Sequence, residues 1–313
     1  MSFRILGTGS SVPKKIVTND DLCKIVDTSD EWITSRTGIK ARYITEEETP
    51  LSLSYEAATK ALKDAKVDAK DLDLIICATL SAEYQSPSLA CLVQKELGAV
   101  CPAVDINAAC TGFIYALDMA DSYFKSGKCK KVLVVAFDAL SKFVNWKDRS
   151  TCVLFGDGCG AVVLGEGKGL LHSQVHAQGD MSSLLIGDLG DGKPYIHMIG
   201  KEIYKFAVST GSTEIPDAIE KAGLKQSDVD HVILHQANRR IMEAVAERLE
   251  IEKDKFAINI EEYGNTCSAS IPLTLDKMNR NNLLKDGQII VMTAFGGGLT
   301  SGTCVIEWNK GEK

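Results

Sequence analysis

The sequence contains no apolar run that approaches the roughly 20 residues of a membrane-spanning helix. Its first residues, "MSFRILGTGSSVP", also lack the continuous apolar stretch that is typical of a signal peptide. Nor is there an excess of positive charge, because the formal net charge of the 313 residues is −7. We therefore expect a chain that binds neither membranes nor nucleic acids, and any acidic partner must meet a local basic patch.

Paired cysteine motifs are absent too. The ten cysteines are scattered, and no two are spaced as C-x-x-C. Several lie in apolar, strand-like runs, such as Cys77 in "DLIICATL" and Cys304 in "GTCVIEW". This usage favours reduced thiols in the cytoplasm over a disulfide framework or a zinc site.

Apolar segments rich in β-branched residues alternate with segments of helical periodicity. Hydrophobic residues make up 45% of the chain, enough for a large core. The strand-like runs span residues 72–80, 131–137, 160–165, 229–236 and 288–295, and helical patterns span 52–67 and 213–224. This alternation predicts an α/β protein with largely parallel, buried strands.

The two halves of the sequence resemble each other. Residues 61–78 align without gaps on residues 218–235, an offset of 157 (Asp71 onto Asp228). The same offset carries residues 132–136 onto 289–293 and Cys110 onto Cys267. We predict two similar α/β halves, 1–165 and 166–313, whose equivalent strand ends converge on one pocket.

Cys110 lies in the stretch "DINAACTGFIYAL", among residues that have almost no side chain. The usual explanation is a small residue that fills the core, and this stretch taken alone favours it. The alternative is a nucleophile at a helix N-terminus, where the helix dipole favours the thiolate and small neighbours admit a substrate carbonyl.

Two further polar residues follow strand-like or turn-like segments in the second half. His235 ends the apolar strand "VDHVILHQ", which favours a side chain aimed into a cleft over a hydrogen-bonded structural histidine. Asn265 lies in "EEYGNTCSASIP", where it either makes the turn or contributes to a site, with Pro272 in the first turn of a helix.

Two glycine-rich segments and one pair of histidines could indicate other chemistries. The glycines of "FGDGCGAVVL" precede a strand instead of a helix, so they do not fit a dinucleotide-binding loop. The glycines of "AFGGGLTSG" form either a flexible hairpin or a loop whose bare backbone N–H groups face a substrate oxygen. His172 and His176 have a helical metal-site spacing, but their neighbours are strand-like, so we expect no metal there.

Four of these motifs together, "NAACTGF", "LHQANRRI", "YGNTCSASIP" and "AFGGGLTSG", resemble the thiolase superfamily. More narrowly, the chain resembles the β-ketoacyl-[acyl-carrier-protein] synthase III family, the initiating condensing enzymes of type II fatty-acid synthesis. The similarity covers essentially the whole chain in order. It implies a five-layered αβαβα fold of two duplicated halves, which agrees with the internal repeat.

The resemblance also implies a mechanism and its residues. Cys110 would be the acylated nucleophile of a Cys-His-Asn triad completed by His235 and Asn265. The backbone N–H groups of Cys110 and Gly297 would form the oxyanion hole. The substrates would be an acyl-CoA primer and malonyl-acyl-carrier protein, with no metal and no further cofactor, and the active form would be a homodimer.

Binding residues are implied in the same way. The positions that match the family's CoA contacts are Thr28, Trp32, Arg36, Arg149, Gly200 and Asn238, with Trp32 and Arg149 flanking the adenine. A basic patch for the acidic carrier protein would comprise Lys205, Arg239, Arg240 and Arg248, although a solvated helix face explains Arg248 equally well. Phe155 and Ser86 would contribute to acyl pockets. Ser86 stands where the family often has a bulky apolar residue that caps the partner's pocket, so we expect a roomier pocket.

Three alternatives remain to be distinguished. A papain-like hydrolase shares the Cys-His-Asn order, but the sequence lacks C-G-[SA]-C-[WY]. Condensing enzymes of secondary metabolism, which make polyketide starters or alkylquinolones, share all the motifs. A non-enzymatic acyl-CoA-binding relative would be expected to lack a triad member, and all three are present.

Overall fold

The computed structural model describes residues 2–190 and 192–310, and strands and helices alternate along them. The strands are β1 Ser2–Ser11, β2 Lys15–Thr18, β3 Ala41–Ile44, β4 Leu74–Ala78, β5 Ala103–Ile106, β6 Lys131–Ala139, β7 Asp157–Gly167, β8 Leu170–Ala177, β9 Leu184–Asp188, β10 Pro194–Met198, β11 His231–Leu234, β12 Ile289–Gly296 and β13 Thr300–Glu307. The helices are α1 Asn19–Cys23, α2 Asp30–Thr37, α3 Pro50–Ala65, α4 Leu89–Leu97, α5 Gly112–Lys125, α6 Arg149–Cys152, α7 Gly200–Lys221, α8 Arg239–Leu249, α9 Ile260–Tyr263 and α10 Ser270–Arg280.

Two large sheets organise these elements. The first has the strand order β1-β7-β6-β4-β5 and the second has the order β11-β12-β13-β8. Only the pairs β4–β5, β4–β6 and β11–β12 are parallel, and the other neighbours within these two sheets are antiparallel. The prediction of largely parallel strands is therefore wrong, because β7 and β13 each run back beside the strand that precedes them.

The helices form three layers around the two sheets. Helices α5 and α10 lie between the sheets, where α5 contacts strands of both. Helices α3 and α4 cover the outer face of the first sheet, and α7 covers the outer face of the second with α8 packed against it. This is the predicted five-layered αβαβα arrangement. Among the residues described, no helix combines the length and the apolarity that crossing a bilayer requires.

The duplication is visible in the sheets, but its offset changes by one residue along the chain. Leu74 pairs with Val132 in the first sheet, and its counterpart His231 pairs with Ile290 in the second. Leu74 and His231 are 157 positions apart, whereas Val132 and Ile290 are 158 apart. The central helices, which begin at Gly112 and Ser270, also differ by 158.

The structural counterpart of Cys110 is therefore Ser268. The gapless alignment of the sequence had placed Cys267 there, and that prediction is wrong. An added residue in the second half, downstream of β11, accounts for the shift. The boundary between halves at residues 165 and 166 stays a prediction; β7 runs to Gly167, and the first strand of the second sheet begins at Leu170.

Helix α3 is held tightly against the first sheet. Its N-terminus is fixed by a capping box, in which Thr49 and Ser52 each accept a hydrogen bond from the other's backbone N–H, and Pro50 occupies the first position. A side chain at Gly7 of β1 would place its Cβ only 2.3 Å from the Ala65 backbone N and 2.6 Å from the Ala61 carbonyl O. Glycine is therefore required at this crossing.

We expect Gly7→Ala to destabilise the protein, because backbone atoms of α3 cannot move aside as a flexible side chain could. Overpacking of this kind costs about 1–3 kcal/mol of unfolding free energy. Thermal unfolding followed by circular dichroism measures the effect, with Gly187→Ala as the matched control, since nothing lies within 4 Å of a Cβ at Gly187. Equal unfolding temperatures for the two variants would contradict this packing.

Candidate active site

Cys110 lies in a short 3-10 turn, Ala109–Thr111, that follows β5 and runs directly into α5. Ala109 has a φ of +48°, a left-handed conformation that is unusual for a residue other than glycine. The side chain of Cys110 is only 6% exposed, yet it lines a cavity of about 590 Å³. The thiol is thus placed at the N-terminus of a buried central helix and faces open space.

His235 follows the last residue of β11 and is almost fully buried. Its Nδ1 lies 2.7 Å from the Oγ of Ser270, the first residue of α10. Its ring meets the ring of Phe295 edge-on, with the centroids 5.8 Å apart. Since Nδ1 is occupied by Ser270, the other ring nitrogen, Nε2, is the one available to the cavity.

Asn265 is held by its backbone and by its side-chain oxygen. Its N–H donates to the Leu154 carbonyl (2.9 Å) and its carbonyl accepts from the Gly156 N–H (3.0 Å). The side-chain Oδ1 accepts the N–H of Cys267 at 2.9 Å. Because the oxygen is engaged, the Nδ2 amide group is the part of the side chain that can donate to a ligand.

The cavity brings the three predicted catalytic side chains together. Cys110, His235 and Asn265 all line it, although they come from three separate segments and from both halves of the chain. Gly297, the predicted second oxyanion donor, lines it as well. It begins a 3-10 turn, Gly297–Leu299, and N–H groups at the start of such a turn have no acceptor within the turn.

The neighbouring Gly296 permits this convergence. A Cβ at Gly296 would lie 2.8 Å from the backbone N of Cys110 and 3.2 Å from its Cβ. The end of β12 can therefore approach Cys110 only as bare backbone.

The environment of Cys110 favours its thiolate. A hydrogen bond from the Cys267 thiol, at an Sγ–Sγ distance of 3.4 Å, is the main influence, and the adjacent His235 imidazole adds to it. Together they hold the pKa of Cys110 well below its usual range in spite of burial. Burial, and the bond to Cys110, raise the pKa of Cys267 well above the usual range.

Behind this pair lies a buried carboxyl group, that of Asp138 in β6. Burial raises its pKa to about 6. It accepts hydrogen bonds from the Leu80 N–H (2.9 Å) and the Ser81 hydroxyl (3.1 Å), and both the N–H and the hydroxyl of Ser268 donate to it. The carboxyl group thus anchors the turn that carries Cys267.

The two residues predicted for the acyl pocket occupy different places. Phe155 lines the cavity and is buried. Ser86 is exposed and does not line the cavity.

The predicted CoA contacts fall into two groups. Gly200 and Asn238 line the cavity, whereas the others, Thr28, Trp32, Arg36 and Arg149, lie outside its lining. The Asn238 Nδ2 donates to the Arg36 carbonyl at 3.1 Å, which joins the two groups. Thr28 has a buried hydroxyl with no hydrogen-bond partner.

The predicted adenine site is closed by the protein's own side chains. The guanidinium of Arg149 lies 4.7 Å from the Trp32 ring centroid, and that of Arg36 lies 5.0 Å from it. Arg149 also donates to the Asp27 carbonyl at 2.7 Å. An adenine between Trp32 and Arg149 would have to displace this cation–π contact.

The four residues of the predicted basic patch differ in whether an acidic side chain neutralises their charge. Arg239 forms ion pairs with Glu243 (2.9 Å) and Glu261 (2.5 Å), and Lys205 pairs with Glu202 (3.0 Å). Arg240 and Arg248 are exposed. Within residues 2–190 and 192–310, no group of three or more His, Cys, Asp or Glu side chains could hold a metal ion.

Sequence reasoning missed three residues of this site, Ser270, Gly296 and Asp138, and it also missed the contact between Cys267 and Cys110. Ser270 and Cys267 belong to a run of small residues that gives no signal. Asp138, by contrast, could have been found, because a carboxylate at the end of an apolar strand is rarely buried without a partner.

Comparisons with known proteins show which family this chain resembles along its whole length. Two family descriptions match, "3-Oxoacyl-[acyl-carrier-protein (ACP)] synthase III" over residues 104–179 and its C-terminal counterpart over residues 219–308. A β-ketoacyl-[acyl-carrier-protein] synthase III from Aquifex aeolicus is 50% identical over 98% of this chain and 100% of its own. One from Clostridium acetobutylicum is 47% identical over 99% of both chains.

The chain belongs to the 3-oxoacyl-[acyl-carrier-protein] synthase III family. Its structure also superimposes on a crystal structure of the Aquifex aeolicus enzyme with a TM-score of 0.94, over 97% of this chain and 99% of that one. The predicted thiolase fold is confirmed, and the chain is an acyltransferase of the condensing-enzyme class.

We expect the alkylation of Cys110 by iodoacetamide to reach half its maximal rate at a lower pH than that of free cysteine. Only the thiolate reacts, so a lowered pKa moves the rise in rate to lower pH. His235→Ala removes one cause of the lowering, and the midpoint should therefore move to higher pH. Peptide mass spectrometry of Cys110 labelling over a pH series measures both effects.

The matched control is His176→Gln, on β8 and outside the cavity lining, which should keep the wild-type midpoint. A midpoint that is the same in the wild type and in His235→Ala would show that the imidazole does not act on the thiol.

Proposed function

We propose that this chain condenses an acyl-CoA primer with malonyl-acyl-carrier protein through an acyl-Cys110 intermediate, the first condensation of type II fatty-acid synthesis. The supporting observation is the shared cavity that Cys110, His235 and Asn265 line, with the pKa of the thiol lowered. Membership of the synthase III family provides independent support.

In the first half-reaction, the Cys110 thiolate attacks the thioester carbonyl of the primer. Negative charge develops on the carbonyl oxygen, and the backbone N–H groups of Cys110 and Gly297 are the donors that stabilise it. Coenzyme A leaves as its thiol, and the acyl group stays on Sγ.

In the second half-reaction, malonyl-acyl-carrier protein loses carbon dioxide and forms an enolate. Its oxygen accepts hydrogen bonds from the His235 Nε2 and the Asn265 Nδ2, the two donors left free by Ser270 and Cys267. The donor role of Nε2 requires the Ser270 hydroxyl to donate to Nδ1. The enolate carbon attacks the acyl-cysteine, and the thiolate of Cys110 is released with the β-ketoacyl product.

We propose that the active form is a homodimer. The support is the outer edge of β5, the last strand of the first sheet, which has no strand paired to it among the described residues. Val104 on β5 is 40% exposed and Val100 just before it is 80% exposed. An open, apolar strand edge is a site where a second copy can extend the sheet.

We also propose a reducing compartment such as the cytoplasm, since all ten cysteines are unpaired. The reaction takes its atoms from the two substrates and the cysteine, and the proposal therefore includes no resident cofactor or metal. For the carrier protein, Arg240 and Arg248 are the exposed cations of the predicted patch that form no ion pair with any other described residue. For coenzyme A, the path runs from Trp32 past Asn238 to the cavity.

We expect Asn265→Ala to slow condensation by about 10²–10³, the usual effect of one missing oxyanion donor. Acylation of Cys110 by acyl-CoA should persist, because its proposed donors are backbone groups. Mass spectrometry of the acyl adduct and release of β-ketoacyl product from malonyl-acyl-carrier protein separate the two half-reactions.

Asn281→Ala serves as control, since Asn281 is exposed and does not line the cavity. Condensation at the wild-type rate by Asn265→Ala would refute the role of the amide. Absence of any acyl adduct on wild-type Cys110 would refute the proposed function itself.

We expect the wild type to accept primers longer than acetyl, because Ser86 leaves room in the partner's pocket. Ser86→Phe should shift the preference towards acetyl-CoA by filling that space. The measurement is kcat/KM for a series of acyl-CoA primers from acetyl to octanoyl, with Gln85→Phe in the same exposed loop as control. A wild-type enzyme that prefers acetyl-CoA and rejects longer primers would contradict the expectation.

A further inference from the structure

The cavity contains a second thiol that forms and breaks no bond in the proposed condensation. The Cys267 Sγ lies 3.4 Å from the Cys110 Sγ and donates a hydrogen bond to it. Both side chains are buried in the protein and both line the cavity. Two other cysteines whose side chains form hydrogen bonds, Cys91 and Cys159, bond to oxygen instead.

The position of Cys267 is fixed by the catalytic machinery itself. Its φ of +52° is left-handed, an unusual conformation for a residue with a side chain. Its N–H donates to the Asn265 Oδ1, and the next residue, Ser268, donates twice to the buried Asp138. These bonds hold the second sulfur against the first.

Two thiols in contact allow an oxidation that one thiol does not. A thiolate attacks a peroxide and becomes a sulfenic acid, which condenses with a neighbouring thiol to a disulfide or, without one, is oxidised irreversibly to a sulfinic acid. A disulfide has an S–S length of about 2.05 Å, so rotation of the two side chains would have to bring the sulfurs roughly 1.4 Å closer.

We propose that Cys267 is a resolving thiol that captures oxidised Cys110 as a reversible Cys110–Cys267 disulfide. This rests on the nucleophilic role of Cys110 in the proposed function. In the first step the Cys110 thiolate takes one oxygen from a hydroperoxide, and the hydroxide or alkoxide that leaves is protonated. In the second step the Cys267 sulfur attacks the Cys110 sulfur, and the sulfenic oxygen leaves as water with the thiol proton.

The electrons balance, because the two thiols lose two electrons and the hydroperoxide gains two. A dithiol reductant reverses the reaction by thiol–disulfide exchange. The lowered pKa of Cys110 suits attack on the peroxide. Part of the rise in the pKa of Cys267 comes from its hydrogen bond to Cys110, and that part ends once Cys110 is oxidised.

The test treats the purified full-length protein with hydrogen peroxide, blocks the remaining thiols and maps the peptides by mass spectrometry. In the wild type we expect a linked peptide pair containing Cys110 and Cys267, with loss of acyl-cysteine formation that dithiothreitol restores. Cys267→Ser retains a hydroxyl donor at the same position but cannot form the link. Its Cys110 should accumulate sulfinic acid at least about tenfold above the wild-type level, and dithiothreitol should not restore its acylation.

Cys23→Ser, which removes an exposed thiol elsewhere, should behave like the wild type. A wild-type Cys110 that ends as sulfinic acid, or linked to another cysteine, would overturn the proposal. So would an equal sulfinic fraction in the wild type and Cys267→Ser. If Cys267→Ser does not fold, the wild-type peptide map still decides. Acyl-cysteine formation by untreated protein tests the proposed function separately, so the two failures are distinguishable.

Discussion

The approach of the end of β12 to the turn that carries Cys110 is the contact on which the site depends. It is a backbone-to-backbone approach, since a single added carbon at Gly296 would lie within 3 Å of the Cys110 nitrogen. Because β12 belongs to the second half and Cys110 to the first, this contact also sets the spacing of the two halves at the cavity. The same contact positions both proposed oxyanion donors, the N–H groups of Cys110 and Gly297, since Gly297 is the residue after Gly296.

The buried carboxyl group of Asp138 stabilises the same junction from behind. A buried, charged carboxylate is costly unless hydrogen bonds replace its hydration, and here donors arrive from two directions. Leu80 and Ser81 of the first half donate to it, and so does Ser268 of the second. The Asp138 carboxyl group therefore links the turn before α10 to β6. It explains how a run of small residues, with little packing surface of its own, keeps a defined position beside Cys110.

The sequence allowed the fold class, the five layers and the convergence of Cys110, His235 and Asn265 to be predicted. Alternation of strands and helices predicted the α/β class, and the internal repeat predicted two halves whose strand ends converge on one pocket. The five layers and the grouping of the three residues as a triad were implied by the resemblance to the synthase III family. The exact pairing of residues between the two halves was harder to predict. One added residue shifts the later strand and helix by one position, yet the gapless alignment still matches similar residues there. That shift made Cys267 the apparent counterpart of Cys110, when the structural counterpart is Ser268.

The contacts that tune the site were beyond sequence reasoning for a related reason. The bond between His235 and Ser270 and the closed stack of Arg149 on Trp32 join residues far apart in the chain. No periodicity marks such pairs, and a serine in a small-residue run gives no sign of its partner. Of these missed residues, Asp138 alone could have been found from the sequence. A carboxylate at the end of an apolar strand is costly to bury unless hydrogen-bond donors surround it.

The same contact that favours the thiolate of Cys110 also favours its oxidation by peroxides. A hydrogen-bond donor beside the sulfur lowers its pKa, and the thiolate so favoured reacts with peroxides as well as with thioesters. A hydroxyl donor would favour the thiolate in the same sense. A thiol donor adds a second property, because it can also form a covalent bond to the sulfur it stabilises. A thiol at position 267 thus favours the Cys110 thiolate and can also form a disulfide with it once it is oxidised. Replacing that sulfur by oxygen, as in Cys267→Ser, would keep the first effect and remove the second.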